Sequence, residues 1–327
     1  MKPSLYPLRF EPILKSKIWG GEKLGNMLGK AIGSMDNCGE SWEISSVEND
    51  VSVVANGSLR GAFLTELIDT YKDELVGKMT YMTHGNQFPL LIKYIDAQAD
   101  LSIQVHPNDE LARKRHNSLG KTEMWYVIDA EPGASLISGF NRPTDKEEYL
   151  KYFDQGRLTD LLNREVVHRD DVFFLPAGRV HTIGKGLLVA EIQQTSDVTY
   201  RIYDYDRVDR NGKKRELHVD LALEAIDFTF HKNYKTNYDH QAVECLLVAS
   251  PYFETRRLQI TDYCTRNYET IPGFVVIMIL AGEGIVQTNT GDMVINTGQT
   301  YLLPASLKKA GLIPKQPMTL LEVHIPE

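Results

Sequence analysis

The sequence predicts a mainly β protein built as two jelly-roll barrels, with a small helical part attached to the first. Three observations predict it. Most of the chain reads as short apolar or alternating runs broken by Gly, Pro, Asn and Asp, the texture of antiparallel strands and tight turns. Only three stretches, about 58–77, 144–163 and 217–226, carry apolar residues at helical spacing. Two segments before residue 180 return in the last third of the chain, as in a duplicated domain.

The first 57 residues read as strands and turns. Trp19-Gly20-Gly21 has the look of a turn with an aromatic anchor. In Ser41-Trp42-Glu43-Ile44-Ser45 the apolar and polar residues alternate, which predicts a half-buried strand. Core packing is the preferred reading of Trp42, with substrate stacking the alternative. Phe63, Leu64, Leu67, Ile68, Tyr71 and Leu75 then mark one amphipathic helix, with Ser58 as its N-cap and Gly77 at its end. From 86 to 210 the chain reads as strands and tight turns, apart from a helix over 144–163. That helix opens on a capping box from Thr144 to Glu147 and carries Tyr149, Leu150, Phe153, Leu158, Leu161 and Leu162. Residues 231–240 are polar without apolar periodicity and are taken as a linker between a first domain, 1–230, and a second, 241–327. Short strands are expected in the second domain over 245–250, 252–260, 274–280, 284–288, 292–295 and 300–303.

The internal echo pairs Phe174-Leu175-Pro176-Ala177 with Leu302-Leu303-Pro304-Ala305, and Val127 to Gly133 more faintly with Met278 to Gly284. The offsets differ by about the length of the 144–163 segment, so that segment reads as an insertion in the first copy. On this alignment His181 stands opposite Lys309 and Glu123 opposite Phe274, which leaves the second copy a structural or dimerising barrel without metal ligands. Chance similarity between two β-rich segments is the competing reading. Duplicated, strand-rich and cornered by Gly and Pro, the pattern suits the double-sheet jelly roll of the cupin type, whose mouth admits one small ligand.

A chain of 327 residues is long for one core and favours two domains. Its net charge of -8 argues against nucleic acid, since a phosphate backbone calls for a basic surface. Cys38, Cys245 and Cys264 are odd in number and show no C-x-x-C pairing, so neither disulfides nor a cysteine zinc site is expected. With no apolar run suited to a signal peptide or a membrane span, the expected location is the cytoplasm.

Function is carried by polar residues inside strand-like sequence. In Leu101 to Asp109, Gln104 and His106 share one strand face while Ile103 and Val105 take the other. Glu123 and His181 lie in two further segments, and together the four offer the nitrogen and oxygen donors of a zinc-type site with an open position. The bland alternatives are structural histidines, the reading given to His84, His116, His168, His218, His231, His240 and His324, and a surface ion pair between Lys121 and Glu123. Lys93, charged within Leu91-Ile92-Lys93-Tyr94-Ile95, is expected to face the barrel mouth. Arg201 alternates with Tyr200 and Ile202 and shares a face with Thr199 and Tyr203. No glycine-rich nucleotide loop is present.

Gln104-Val105-His106-Pro107, Gly120-Lys121-Thr122-Glu123-Met124-Trp125, Leu175 to His181 and Ala190-Glu191-Ile192-Gln193 to Tyr200-Arg201 together resemble the type I mannose-6-phosphate isomerases in their short bacterial form. The likeness extends over nearly the whole chain, including Trp19-Gly20-Gly21 and Gly39 to Glu43. It implies a cupin pair with a helical part and one zinc ion per chain on Gln104, His106, Glu123 and His181. It also implies an active-site arginine at Arg201, an acidic residue at Glu191 and the motif lysine at Lys121. Lys93, Trp19 and Arg207 are the expected substrate-binding residues, Arg207 standing near where some longer members carry a lysine. The large helical domain that longer members insert before the last histidine is here reduced to about one helical hairpin.

The implied reaction interconverts mannose 6-phosphate and fructose 6-phosphate through an enediol. Such chemistry needs a base near the carbon and positive charge where oxygen becomes negative. Glu191 is the expected proton carrier, its alternative an ion pair with Arg201. Lys121 is expected to assist ring opening, stabilise the enediolate or anchor the phosphate, and Arg201 to contact either the phosphate or the transition-state oxygens. The expected partner is a small hexose phosphate, with no nucleic acid and no membrane, and the chain is a monomer or a homodimer. A cupin Fe(II) dioxygenase and a non-catalytic sugar-binding bicupin are the alternatives.

Overall fold

The computed structural model describes residues 2–208 and 212–326. Two antiparallel sheets form the first barrel. The larger orders Val172–Leu175, Glu123–Ala130, Leu187–Gln194, Leu90–Ala97, Cys38–Ile44 and Ile13–Gly21 side by side; the smaller orders Leu162–Val166, Ser135–Phe140, His181–Thr182, Ile103–Val105 and Tyr200–Tyr203. The second barrel repeats the plan. Its larger sheet runs Leu8–Arg9, Thr300–Leu303, Val275–Ala281, Met318–His324, Glu254–Ile260, Glu244–Ala249, and its smaller sheet Cys264–Asn267, Lys309–Pro314, Glu283–Thr288, Gly291–Asn296. The mainly β, double-barrel expectation therefore holds. The first strand of the chain belongs to the second barrel, with Leu8 opposite Leu302.

Strand alternation decides what each face does. Ile92, Met124, Tyr126, Ala190 and Ile192 leave the first large sheet on one side and meet Val276, Met278, Leu302, Leu321 and Val323 from the second. The two larger sheets thus share one apolar layer, closed by Leu64, Leu67, Ile68 and Tyr71 of a short helix. From the opposite face of the same strands, Ile95, Trp125, Val127 and Val189 point into the first barrel. A third cluster, with Ile103, Val105, Tyr149 and Ala222, packs the helical part against the smaller sheet.

Several local expectations change. The helix expected over 58–77 is a 3-10 turn at Gly57–Leu59 followed by helices Leu64–Tyr71 and Asp73–Val76, with a further helix at Lys78–His84. Lys72 (φ 51°) and Gly77 (φ 92°) interrupt it, and at Gly77 the backbone of Gly273 lies so close that a Cβ would stand 2.6 Å from its Cα. Phe63, not Ser58, is the N-cap of the longest piece. The expected 144–163 helix stops at Asp154; a 3-10 turn, Leu158–Leu161, leads into the strand Leu162–Val166. Its cap is Asp145, which accepts a hydrogen bond from Glu148 N at 2.8 Å, rather than Thr144. The third helix is Val219–Ala225. A helix at Asp109–His116 was not anticipated: Asn108 caps it, but Ala112 is its one buried residue, so no apolar stripe announces it.

Trp19 lies in the strand Ile13–Gly21 rather than in a turn, and all of Cys38–Ile44 is buried rather than half of it. Strand pairing also shifts the echo by one residue. Leu175 faces Glu123 and its counterpart Leu303 faces Val275, so Val275, not Phe274, occupies the position of Glu123. Among the described residues no helix is long and apolar enough to cross a membrane.

Because the larger sheets share one layer, Leu302→Ala, at a fully buried position in it, is expected to cost about 2–5 kcal/mol. Calorimetry should show the whole chain melting earlier in one transition; an unmoved or split transition would contradict the shared core.

Candidate functional site

Two rows of side chains face each other inside the first barrel. Across the larger sheet Trp42 is opposite Lys93, Lys93 opposite Glu191, and Glu191 opposite Trp125. Across the smaller sheet Ser138, His181, Gln104 and Arg201 stand in register on neighbouring strands. The rows enclose a cleft of about 300 Å³ whose walls include Trp19, Trp42, Lys93, Gln104, Glu191 and Arg201.

Next to Gln104 three donors converge. The ligand atoms of His106, Glu123 and His181 lie within 4.8 Å of one another, and all three residues are buried. Glu123 Oε2 is 3.5 Å from His106 Nε2, and Oε1 is 3.3 Å from His181 Nε2. The two imidazoles are oriented from behind: His106 Nδ1 is 3.0 Å from the carbonyl of Val198 and His181 Nδ1 2.8 Å from that of Arg179. A carbonyl only accepts, so each Nδ1 carries the proton and each Nε2 lone pair faces the carboxylate. Burial and the ammonium of Lys121 disfavour the charged ring, pushing His106 well below the ordinary histidine value; burial brings His181 down to about 3. Glu123 Oε1 is buried without a hydrogen-bond partner. Two neutral imidazoles and a carboxylate with a spare lone pair, beside the Gln104 amide (Nε2 3.3 Å from His181 Nε2), fit a divalent ion of the zinc type.

Lys121 is not on the surface. Its ammonium is 2.5 Å from Glu123 Oε2 and 3.1 Å from His106 Nε2, supplying a counter-charge from within the barrel. Burial nevertheless holds the Glu123 carboxyl above the usual carboxylate range, against the pull of Lys121. Glu191 goes the other way. Burial favours its protonation, but Lys93 and then Lys121 outweigh it and hold the carboxyl below that range. Its oxygens meet Trp125 Nε1 at 2.9 Å and Lys93 Nζ at 2.9 Å. The cation of Glu191 is therefore Lys93, not Arg201 as one reading of the sequence had it.

Trp42 belongs to the cleft wall rather than to the core; its indole N donates to Glu40 Oε2 at 2.7 Å, and Glu40 also pairs with Lys17 at 3.2 Å. The signal was present in Gly39 to Glu43, where Glu40 and Trp42 sit two apart on one strand face. Arg207 is not among the residues lining the cleft. Its guanidinium is bound to Asp204 Oδ1 at 2.5 Å and to the carbonyl of Asp100. Arg215, which the sequence reading passed over, lines the cleft instead, together with Asp197. Val208 bridges Lys214, which returns Arg215 to the barrel, and the hairpin-type pair Asn211-Gly212 between them was the signal in the sequence.

Residues 8–132 match the family described as phosphomannose isomerase type I, catalytic domain. The chain is 39% identical over 305 residues to the mannose-6-phosphate isomerase ManA of Bacillus subtilis (strain 168), covering 92% of this chain and 94% of that protein. It is 37% identical over 304 residues to the mannose-6-phosphate isomerase of Streptococcus mutans serotype c, covering 92% and 93% respectively. The crystal structure of the mannose 6-phosphate isomerase from Bacillus subtilis superposes with a TM-score of 0.87 at 33% identity, covering 98% of this chain and 100% of that one. A mannose 6-phosphate isomerase solved bound with zinc and yttrium shares the fold, with a TM-score of 0.79 at 14% identity over 98% of this chain and 100% of that one.

Since Lys93 is the first of the cations that keep Glu191 ionised, Lys93→Met should leave burial in control and move the Glu191 carboxyl to a higher pKa. An NMR titration of side-chain carboxyl carbons reads this directly, and an unmoved resonance would contradict the pairing.

Proposed function

The chain belongs to the type I phosphomannose isomerases, and from that premise we propose that it interconverts mannose 6-phosphate and fructose 6-phosphate through an enediol, using one zinc ion held by His106, Glu123 and His181 with Gln104 alongside. The observation that carries the reading is the convergence of these donors beside a cleft whose facing wall offers an ionised carboxylate, Glu191, between Lys93 and Trp125. Three protein donors with a further place for water or substrate is the common plan of catalytic zinc sites. A zinc ion held there supplies Lewis-acid polarisation of the sugar oxygens.

The protein's own residues do the rest. Glu191 takes the proton from C2 of the aldose and returns it to C1, or the reverse, which requires an ionised carboxylate fixed in place. Trp125 fixes one of its oxygens and Lys93 faces the other. Lys93 and Lys121 line the same cleft as buried ammonium groups, placed to stabilise the oxygen that becomes negative in the enediolate. Trp19 and Trp42 give the sugar two aromatic walls and help exclude water. Residues 1–230 hold this machinery; residues 241–327 serve as a structural or dimerising barrel. The three cysteines are free thiols, which suits a cytoplasmic enzyme.

Chelation should abolish isomerisation and zinc should restore it, with one metal per chain by elemental analysis and loss of both metal and turnover in His181→Ala. Isomerisation that persists in the metal-free chain would overturn the reading. Glu191→Gln is expected to lower kcat by about 10²–10⁴-fold, as for loss of a general base, while metal content stays at one per chain. In deuterated water the wild type should place solvent deuterium at C1 or C2 of the hexose phosphate, and this exchange should fall with kcat in the variant.

A further inference from the structure

Resting on the sugar-phosphate reading above, the remaining question is which part of the cleft receives the phosphate. Three guanidiniums gather at one end of it. Arg201 and Arg215 line the cleft, and Arg207 stands behind them. Arg207 and Arg215 are both tied to Asp204, whose side chain is only 5% exposed. Asp204 Oδ2 accepts from Arg215 Nε at 2.7 Å, and Oδ1 accepts from Arg215 Nη2 and from Arg207 Nη2. This is the paired fork of an arginine on a carboxylate. Arg207 also donates to the carbonyls of Asp204 and Asp100 and is thereby committed to the backbone.

Arg215 is differently placed. Its Nε and Nη2 are on Asp204, which leaves Nη1 as the donor that Asp204 does not engage. Arg201 donates from Nη1 to the carbonyl of Glu216 at 2.8 Å, next in sequence to Arg215, and its Nε is buried without a partner. Burial and then the Arg215 charge depress its pKa, as expected of two like charges held near one another. Arg201, Arg207 and Arg215 thus gather around the buried Asp204 carboxylate at this wall, and two of them, Arg201 and Arg215, reach the cleft. At the other rim Lys17 is already paired with Glu40. Arg201 lies two strands from His181, with Gln104 between them, a separation of about 10 Å at the usual strand spacing. That is the reach of an open-chain hexose phosphate between its carbonyl end and its phosphate.

We propose that Asp204 is a positioning residue that clamps Arg215 at the cleft, and that Arg215 and Arg201 together bind the phosphate group of the substrate. The clamp removes the rotamer freedom a long cationic side chain would otherwise lose on binding. It also presents Nη1, which Asp204 does not engage, as a donor for phosphate oxygens.

The test uses the full metal-loaded chain, with mannose 6-phosphate as substrate and inorganic phosphate as the probe of the anion site. Arg215→Ala should raise KM tenfold or more and weaken competitive inhibition by phosphate in the same proportion, while kcat changes less than threefold. Arg215→Lys should recover part of the loss. Asp204→Asn should act in the same direction by less, with metal content and melting temperature close to wild type. An unchanged phosphate inhibition constant in Arg215→Ala, or a loss confined to kcat, would overturn the proposal. If the wild type fails to isomerise mannose 6-phosphate, the functional reading fails by itself. Calorimetric phosphate binding, weakened in Arg215→Ala or equal in both, then still decides for or against the clamp.

Discussion

The Lys93–Glu191 pair is the constraint around which the first barrel is arranged. Both side chains are almost wholly buried, and two charges removed from water carry a desolvation cost of several kcal/mol each unless their partners are held in good geometry. The geometry comes from register: Lys93 and Glu191 are direct cross-strand neighbours, Glu191 has Trp125 on its other side, and Lys93 reaches Gln193 Oε1 at 2.7 Å. The same strands turn Ile92, Ala190 and Ile192 outward into the layer shared with the second barrel. A slip of one residue would exchange the charges for the apolar set, so the layer that stabilises the fold also fixes the charged row in the cleft.

The second barrel shows how little separates a reactive interior from a filled one. Strand pairing places Glu322 opposite Ile277 as Glu191 is placed opposite Trp125, on the inward face with Met318 and Leu320. A buried carboxylate has been kept at the corresponding position. Its partners differ: Tyr268 donates to Glu322 at 2.6 Å and Arg266 closes on it from the smaller sheet. Those two long side chains occupy the interior that the first barrel leaves open, and Val275 stands where Glu123 would have to be. The backbone is shared; the chemistry depends on which side chains cross the barrel.

This division explains what was legible in the sequence. Gln104, His106, Glu123 and His181 could be read because strand alternation and a Pro-Ala-Gly corner fix where such residues point, and the structure brings them together. Trp42 misled because the alternation of its strand separates two buried environments rather than core from water: Glu40 and Trp42 face the cleft, while Glu43 meets the buried Lys30 at 2.7 Å on the other side. Helix ends were misplaced where a single backbone angle, as at Lys72, overrides continuous apolar spacing. Arg207 was named because it stands near where some longer members of the family carry a lysine, and Arg215 was not considered. The Val208 to Lys214 bridge that returns Arg215 to the barrel is local, and the Asn211-Gly212 pair between the two residues was its signal in the sequence.

The ammonium of Lys121 bears on how the metal donors exist inside a closed barrel. A carboxylate as buried as Glu123 needs positive charge nearby, and Lys121 supplies it from two positions along the chain. Burial still lifts the Glu123 carboxyl, so the pocket binds a proton more readily than an exposed glutamate does. An ion entering among these donors competes with that proton and with the Lys121 ammonium, which makes metal affinity rise with pH as the carboxyl ionises. In small zinc domains the ion supplies the folding energy itself, whereas here the three donors are held by sheet register and by the Val198 and Arg179 carbonyls. The scaffold is set by the apolar layers and the donors by their strands, so the arrangement of the donors does not depend on a bound ion.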